Sequence, residues 1–396
     1  MMNPKINLKK NEERRIKLGH MWVFSNEIEK IDKTLENGVI VNVYTHNDSF
    51  LCKAFFNKNS LISLRVLTKD PDEEIDFDFF KKKISRAFKL RNSYLRNKTS
   101  YRLINGESDY LPGLIIDKFE NKFSIQAFSV GIENCLPEII SVLTELFHPE
   151  LIIAKNDFEM RNLEGLERYD KILFQKDENS AAPFITELDG IKYSIDLTAG
   201  QKTGFYLDQV NSRFLIRKYI NSNSQILDLF CNEGGFSLNA ALAGANKIVS
   251  VDSSKYAIDT AIRNSQLNGF DKIEFIENDV FDFLKNNKSI IEKSDFIICD
   301  PPSFTKSKKN IDTAVRGYID LNKTILRNMK NDSFLFTFSC SHHIDEKMFG
   351  IIITKSAAES KKNIKIIELI NCSPDHPVLP FMSETQYLKG LLLSVS

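Results

Sequence analysis

The chain has 396 residues and an ordinary apolar fraction, which excludes global disorder and makes two or three hydrophobic cores the expectation. Its 53 Lys and Arg balance 53 Asp and Glu, excluding a uniformly basic nucleic-acid binder while leaving room for a local basic face. The six cysteines (Cys52, Cys135, Cys231, Cys299, Cys340, Cys372) form no Cys-x-x-Cys pair and no cluster with zinc-finger spacing, so no metal site is expected. No apolar stretch has the length of a signal peptide or a membrane span, and a cytoplasmic protein with reduced thiols is expected.

Residues 1–70 hold short β-like runs at 39–44, 50–56 and 61–67, which suggest a small β-rich domain ending at Asp70-Pro71-Asp72. A helix is predicted over 77–97. The stretch from Lys81 to Arg102 carries nine Lys/Arg and no acid, so it is either a solvated helix face or a surface that follows phosphates. On the second reading Lys81, Lys82, Arg86, Lys89 and Arg91 would contact RNA. A central α+β domain over 71–185 follows from a hairpin at 113–128, a helix at 132–147 and strands at 151–155 and 171–175. Another hairpin spans 186–196, with Asp189-Gly190 supplying the positive-φ turn.

From about residue 208 strands and helices alternate. Strands near 225–230, 247–252, 273–277 and 295–299 each lead into a helix, followed by a strand at 333–338, a helix at 345–359 and a strand at 364–370. The fold class is therefore α/β, with a parallel, doubly wound, Rossmann-like sheet over 186–396 and ligands at the carboxyl ends of its strands.

Three successive strand ends carry acids. The first runs Ile226-Leu-Asp-Leu-Phe-Cys-Asn-Glu-Gly-Gly-Phe-Ser237, placing Asp228 and Phe230 before a glycine pair at Gly234 that lets a ligand approach the backbone. The second ends at Asp252, suited to ribose hydroxyls. The third leads to Asp279, where an acid could receive an adenine amino group beside Val280 and Phe281. Each acid alone serves equally well as a helix N-cap. Together, and without a Gly-x-Gly-x-x-Gly fingerprint, they suit a nucleoside cofactor lacking a diphosphate, which describes S-adenosylmethionine (SAM).

The chemistry is expected at the next two strand ends. Asp300-Pro-Pro-Ser-Phe304 puts a carboxylate at the sheet edge; Ser303 stands where enzymes that methylate exocyclic amines usually carry an aromatic residue, and Phe304 is displaced by one. The strand Phe334-Leu-Phe-Thr-Phe-Ser-Cys-Ser341 brings Cys340 to its tip. C5 of cytosine or uracil is a poor nucleophile. Addition of a thiolate at C6 creates carbanion character at C5, which then accepts a methyl group before the thiol is eliminated. Asp300 would hydrogen-bond N3. His342 and His343, adjacent in sequence, point apart and are not read as a metal pair.

In this order Gln201-Lys-Thr-Gly-Phe-Tyr-Leu-Asp-Gln209, Asp228-Leu-Phe-Cys231, Gly234-Gly-Phe-Ser237, Asp300-Pro-Pro-Ser-Phe304, Gly317-Tyr-Ile-Asp-Leu-Asn322, Ser339-Cys-Ser341 and His376-Pro make a pattern. The chain resembles the bacterial large-subunit ribosomal RNA cytosine-5 methyltransferases that carry an N-terminal PUA domain, over essentially its whole length. The resemblance implies a PUA domain at 1–70, a central α+β domain, a SAM-dependent methyltransferase domain and 5-methylcytosine in 23S rRNA as product. It implies Cys340 as nucleophile and a cofactor pocket lined by the 201–209 segment, including Gln201, Thr203 and Phe205, with Lys202 serving substrate or cofactor. It also implies a possible homodimer. Asn232-Glu233 stands where Tyr-Thr is usual, His342-His343 departs from the pattern, and Cys299 precedes the Asp-Pro-Pro and is read as core. The expected partner is 23S rRNA, naked or partly assembled, since a base in a helix must be flipped or met before the RNA folds. A uracil-5 methyltransferase and a SAM-retaining RNA-binding or ribosome-assembly factor are the alternatives.

Overall fold

The computed structural model describes residues 3–31, 34–200, 203–305 and 308–396. It divides into two compact units, one comprising 1–186, 195–207 and 375–385, the other 187–194, 208–374 and 386–396.

The first unit contains two five-stranded sheets. One is ordered Lys5–Asn7, Ile40–Tyr44, Phe50–Phe56, Ile62–Thr68, Trp22–Phe24, around a core that includes Ile6, Val41, Val43, Ala54, Phe56 and Leu64. The other runs Asp170–Gln175, Leu151–Lys155, Lys122–Ala127, Leu114–Phe119, Ser100–Asn105. Helices Phe77–Tyr94 and Leu136–Phe147 contribute Phe80, Ile84, Ile139, Val142 and Leu143 to its core. The first of these starts where Asp76 accepts a hydrogen bond from Phe79 N, a normal N-cap. The helix expected over 132–147 is two, Val130–Asn134 and Leu136–Phe147. Ser129 caps the first, and Pro137 in the first turn of the second has no N–H to bond the Glu133 carbonyl, so the helical ladder is interrupted there.

The second unit is built on a seven-stranded sheet. We label its strands β1 (Gln225–Leu229), β2 (Lys247–Asp252), β3 (Ile273–Glu277), β4 (Phe296–Cys299), β5 (Ser333–Ser339), β6 (Ile364–Ile370) and β7 (Lys389–Val395). Their order is β3-β2-β1-β4-β5-β7-β6. The pairs from β3 through β5 are parallel, whereas β7 pairs antiparallel with both β5 and β6. The sheet is thus not wholly parallel as the alternation suggested. Parallel neighbours need a long crossover, usually helical; the stretch 371–388 contains no α-helix, and the chain returns antiparallel between β5 and β6. Apolar residues from both sheet faces and the helices form two clusters, one around Leu227, Val249, Ile297, Leu335 and Ile325, the other around Phe236, Phe296, Phe336 and Phe338. The strand order reverses between β1 and β4, so the loops after them flank the crevice where doubly wound sheets take ligands. Among the described residues no helix is long and apolar enough to cross a membrane.

Candidate active site

The turn after β1 is tightly shaped. Phe230, Asn232 and Gly234 all have positive φ (62°, 47° and 81°), a conformation that costs the two non-glycine residues energy. At Gly234 a Cβ would come within 3.2 Å of the Ala261 methyl, so glycine answers both the backbone and the packing. Asp228 is fully buried; one carboxylate oxygen accepts from Ser237 N (3.1 Å) and from the Ser237 hydroxyl, fastening the start of helix Gly235–Leu242 to β1. Its other oxygen has no hydrogen-bond partner among the described residues, and burial pushes its pKa up to about 7. Glu233 on the same turn is also pushed up to about 7 by burial, against the pull of Arg213 and Arg263.

At the tip of β2, Asp252 accepts Asn232 N on one oxygen and Ser254 N on the other, both at 2.9 Å. This orients the carboxylate and leaves lone pairs on each oxygen. Asp279 is exposed and caps helix Val280–Asn286 through Asp282 N (3.0 Å). Phe281 lies 6.5 Å from Phe230 and 6.3 Å from Phe304, ring centre to ring centre, forming an apolar wall beside these acids. The donor set fits SAM: carboxylates for hydroxyl and amine groups, rings for a base, and no loop to cradle a diphosphate.

Asp300 follows β4 and accepts a hydrogen bond from the Gln209 side chain at 3.0 Å. Phe304 does not point out as a base-stacking platform. It stacks on Tyr318 at 4.4 Å, and Gly317 leaves it room, since a Cβ there would stand 3.1 Å away. A hydroxyl cluster ties this loop to the end of β5: Ser341 Oγ lies 2.9 Å from Ser303 Oγ and 3.0 Å from Tyr318 Oη. Between Ser339 and Ser341, Cys340 is half-buried, with its thiol 3.8 Å from the Pro301 carbonyl. Asp300 and Cys340 are thus carried on two loops joined to each other, a carboxylate and a thiol at adjacent strand ends. Cys299, by contrast, is fully buried in the core and its thiol is pushed well up by burial, an inert position.

The remaining expected site residues divide. Gln201 and Lys202 lie outside the described residues. Thr203 and Phe205 are buried within the first unit. Of the basic helix residues, Arg86 and Lys89 are exposed, while Lys81 and Lys82 are paired with Glu145 (2.7 Å) and Glu73 (2.6 Å) at the surface. Arg91 is a correction. Its guanidinium is wholly buried, forked on Asp109 and donating to the carbonyls of Arg102 and Asp375, so it holds the unit together and has no face to offer RNA. The first unit also has a cleft of about 450 Å³ lined by Lys17, Lys69, Lys83, Tyr110 and Phe381 among others. The Lys83 ammonium sits 5.3 Å from the centre of the Tyr110 ring. His342 stacks near Tyr387 at 5.4 Å, and among the described residues there is no cluster of metal ligands.

Sequence reasoning took Ser237, Tyr318 and Gln209 only as members of motifs, and missed Lys389. A lone lysine opening the apolar run Lys389–Val395 was the readable signal for it. Its amine is buried and donates to the carbonyls of Ser341 (2.8 Å) and Tyr387 (2.5 Å).

Two family models match parts of the chain. A PUA-like domain model matches residues 6–69, and an S-adenosylmethionine-dependent methyltransferase model matches residues 178–377. Ribosomal RNA large subunit methyltransferase I of Aliivibrio fischeri is 36% identical over 398 residues, and that of Vibrio cholerae 36% over 400, covering 100% of both chains in each case. Among solved structures, a candidate SAM-dependent methyltransferase from Streptococcus mutans has a TM-score of 0.84 at 22% identity, covering 98% of this chain and 99% of that one. Another methyltransferase-like protein, SMU.776 with bound SAH, has a TM-score of 0.85 at 21% identity over 99% of this chain and 100% of its own. At that identity these two establish the shared fold.

Proposed function

This chain belongs to the ribosomal RNA large subunit methyltransferase I family, and on that premise we propose that it methylates C5 of a cytosine in 23S rRNA through a covalent adduct between Cys340 and C6. The observation that carries the reading is the joining of the Asp300 and Cys340 loops through Ser303, Ser341 and Tyr318. SAM supplies an electrophilic methyl group. Asp252 would hold its ribose hydroxyls and Asp279 its adenine amino group, with Phe230 and Phe281 as the apolar surface for the base. Asp228 braces the glycine turn at Gly234 through Ser237.

On the substrate side, Cys340 as thiolate forms a bond to C6 and the C5–C6 π pair moves onto C5. Asp300, steadied by Gln209, hydrogen-bonds the N3 edge of the base and holds the ring in place. After C5 is methylated a base takes its proton, the electron pair re-forms the double bond, and the thiolate leaves. The first unit holds the RNA through phosphate contacts from Lys81, Lys82, Arg86 and Lys89 and through the cleft at Lys83 and Tyr110. Naked or partly assembled rRNA is the substrate, since the base must leave its stack.

The test is transfer of labelled methyl from SAM to unmodified 23S rRNA, with nucleoside analysis, by wild type and Cys340→Ala. Label in 5-methylcytosine, abolished by the substitution while SAM binding persists, is the expected result. Label in 5-methyluridine, or transfer that survives in Cys340→Ala, refutes the proposal.

A further inference from the structure

A thiol that attacks C6 must first be ionised, and the ordinary cysteine pKa of about 8.5 leaves only a few per cent thiolate near neutrality. The structure offers a cation for this. Lys389 opens β7 directly across from Ser339 on β5, and its amine crosses to the Ser341 carbonyl at 2.8 Å. It therefore reaches past the one residue between them, Cys340. The second donor goes to the Tyr387 carbonyl, which leaves one of the three N–H bonds of an ammonium uncommitted. The residue is 4% exposed, and among the described residues no carboxylate stands within ion-pair distance of it.

A buried ammonium with no counter-ion is costly, and burial draws its pKa down to about 8. The groups whose negative charge would offset this are Cys340, at the end of β5, then Cys372, just beyond β6, then Asp345 and Glu346 at the start of helix Glu346–Ser360. Tyr387, on the approach to β7, turns its hydroxyl to Asp208 at 2.6 Å and presents only its carbonyl to the amine. Of these groups Cys340 is the one bonded in sequence to Ser341, whose carbonyl takes the amine's hydrogen bond.

We propose that Lys389 is a positioning residue that holds Cys340 as the thiolate through its buried positive charge. It keeps its own proton throughout, while the thiol proton leaves to solvent. This rests on Cys340 being the nucleophile of the proposed reaction. It assigns to β7, the strand that breaks the parallel order of the sheet, a part in the chemistry.

The experiment is the pH dependence of iodoacetamide alkylation at Cys340 and at Cys372, each followed by peptide mass spectrometry, in the full chain without SAM. Lys389→Gln keeps hydrogen-bonding capacity and removes the charge. It should raise the Cys340 midpoint by about one pH unit and slow its alkylation at pH 7 about tenfold. Lys389→Arg should restore the wild-type profile. If the glutamine variant does not fold, Lys389→Met carries the same comparison, and its profile is read beside its melting temperature. An unchanged Cys340 profile in a folded charge-removing variant, or a shift confined to Cys372, overturns the proposal. Methyl transfer that survives in Cys340→Ala would instead overturn the catalytic reading of Cys340, a separate result from a separate assay.

Discussion

Replacing Arg91 by methionine separates a structural arginine from an RNA contact. Its guanidinium is fully buried, makes a two-pronged pair with Asp109 and donates to the Arg102 carbonyl at 3.1 Å and the Asp375 carbonyl at 3.0 Å. Methionine fills much of the volume but leaves the Asp109 carboxylate buried with the Asn105 N–H (2.7 Å) as its remaining partner among the described residues. Breaking a buried pair from one side costs about 3–5 kcal/mol. With a urea dependence of about 2 kcal/mol per molar, the midpoint for the first unit should fall by about 2 M. The chain has one tryptophan, Trp22, whose indole N–H donates to Glu107 at 2.8 Å inside that unit, so its fluorescence reports this transition and not that of the second unit. Affinity for RNA, measured at low urea where the variant is folded, should be unchanged. A midpoint within about 0.3 M of wild type, or folded protein with several-fold weaker RNA binding, would refute the reasoning and return Arg91 to the phosphate-contacting set.

Two further predictions concern the other unit and the cleft. Asp228 is held near pKa 7 by burial, whereas the unfolded chain ionises near 4; the native state therefore keeps a proton the unfolded state sheds, and stability declines as pH rises from about 4 to about 7 and is level beyond. Asp228→Asn should flatten the decline in stability of the second unit over that range by an amount on the order of a few kcal/mol, read from unfolding curves at each pH, and an unaltered slope would contradict the assignment. In the cleft, Tyr110→Ala should weaken binding of single-stranded rRNA fragments about tenfold, and Lys83→Ala should lower the salt-dependence slope by about 0.7. Equal affinity and slope in both variants would place RNA elsewhere on the unit.

The periodicity of apolar residues was enough to set out most strands and helices of the second unit, because strand and helix impose different repeats on what must face the core. That Asp228, Asp252, Asp279, Asp300 and Cys340 stand at or just beyond strand ends was legible for a related reason: in an alternating strand-and-helix chain, position along the sequence predicts position at the sheet edge. Arg91 could not be assigned that way. Within a run of nine basic residues nothing local distinguishes it from Lys89, and only the packing of helix Phe77–Tyr94 against Asp109 turned it inward. The antiparallel course of β7 was equally hidden, since strand direction depends on which partners are left when the chain returns. That return is what carries the Lys389 amine to the Ser341 carbonyl, 48 residues away in sequence. Sequence by itself determined which groups stand at the strand ends, through local periodicity. Tertiary structure alone decided which buried charges meet, because an ion's environment is set by neighbours that the chain brings from far along its length.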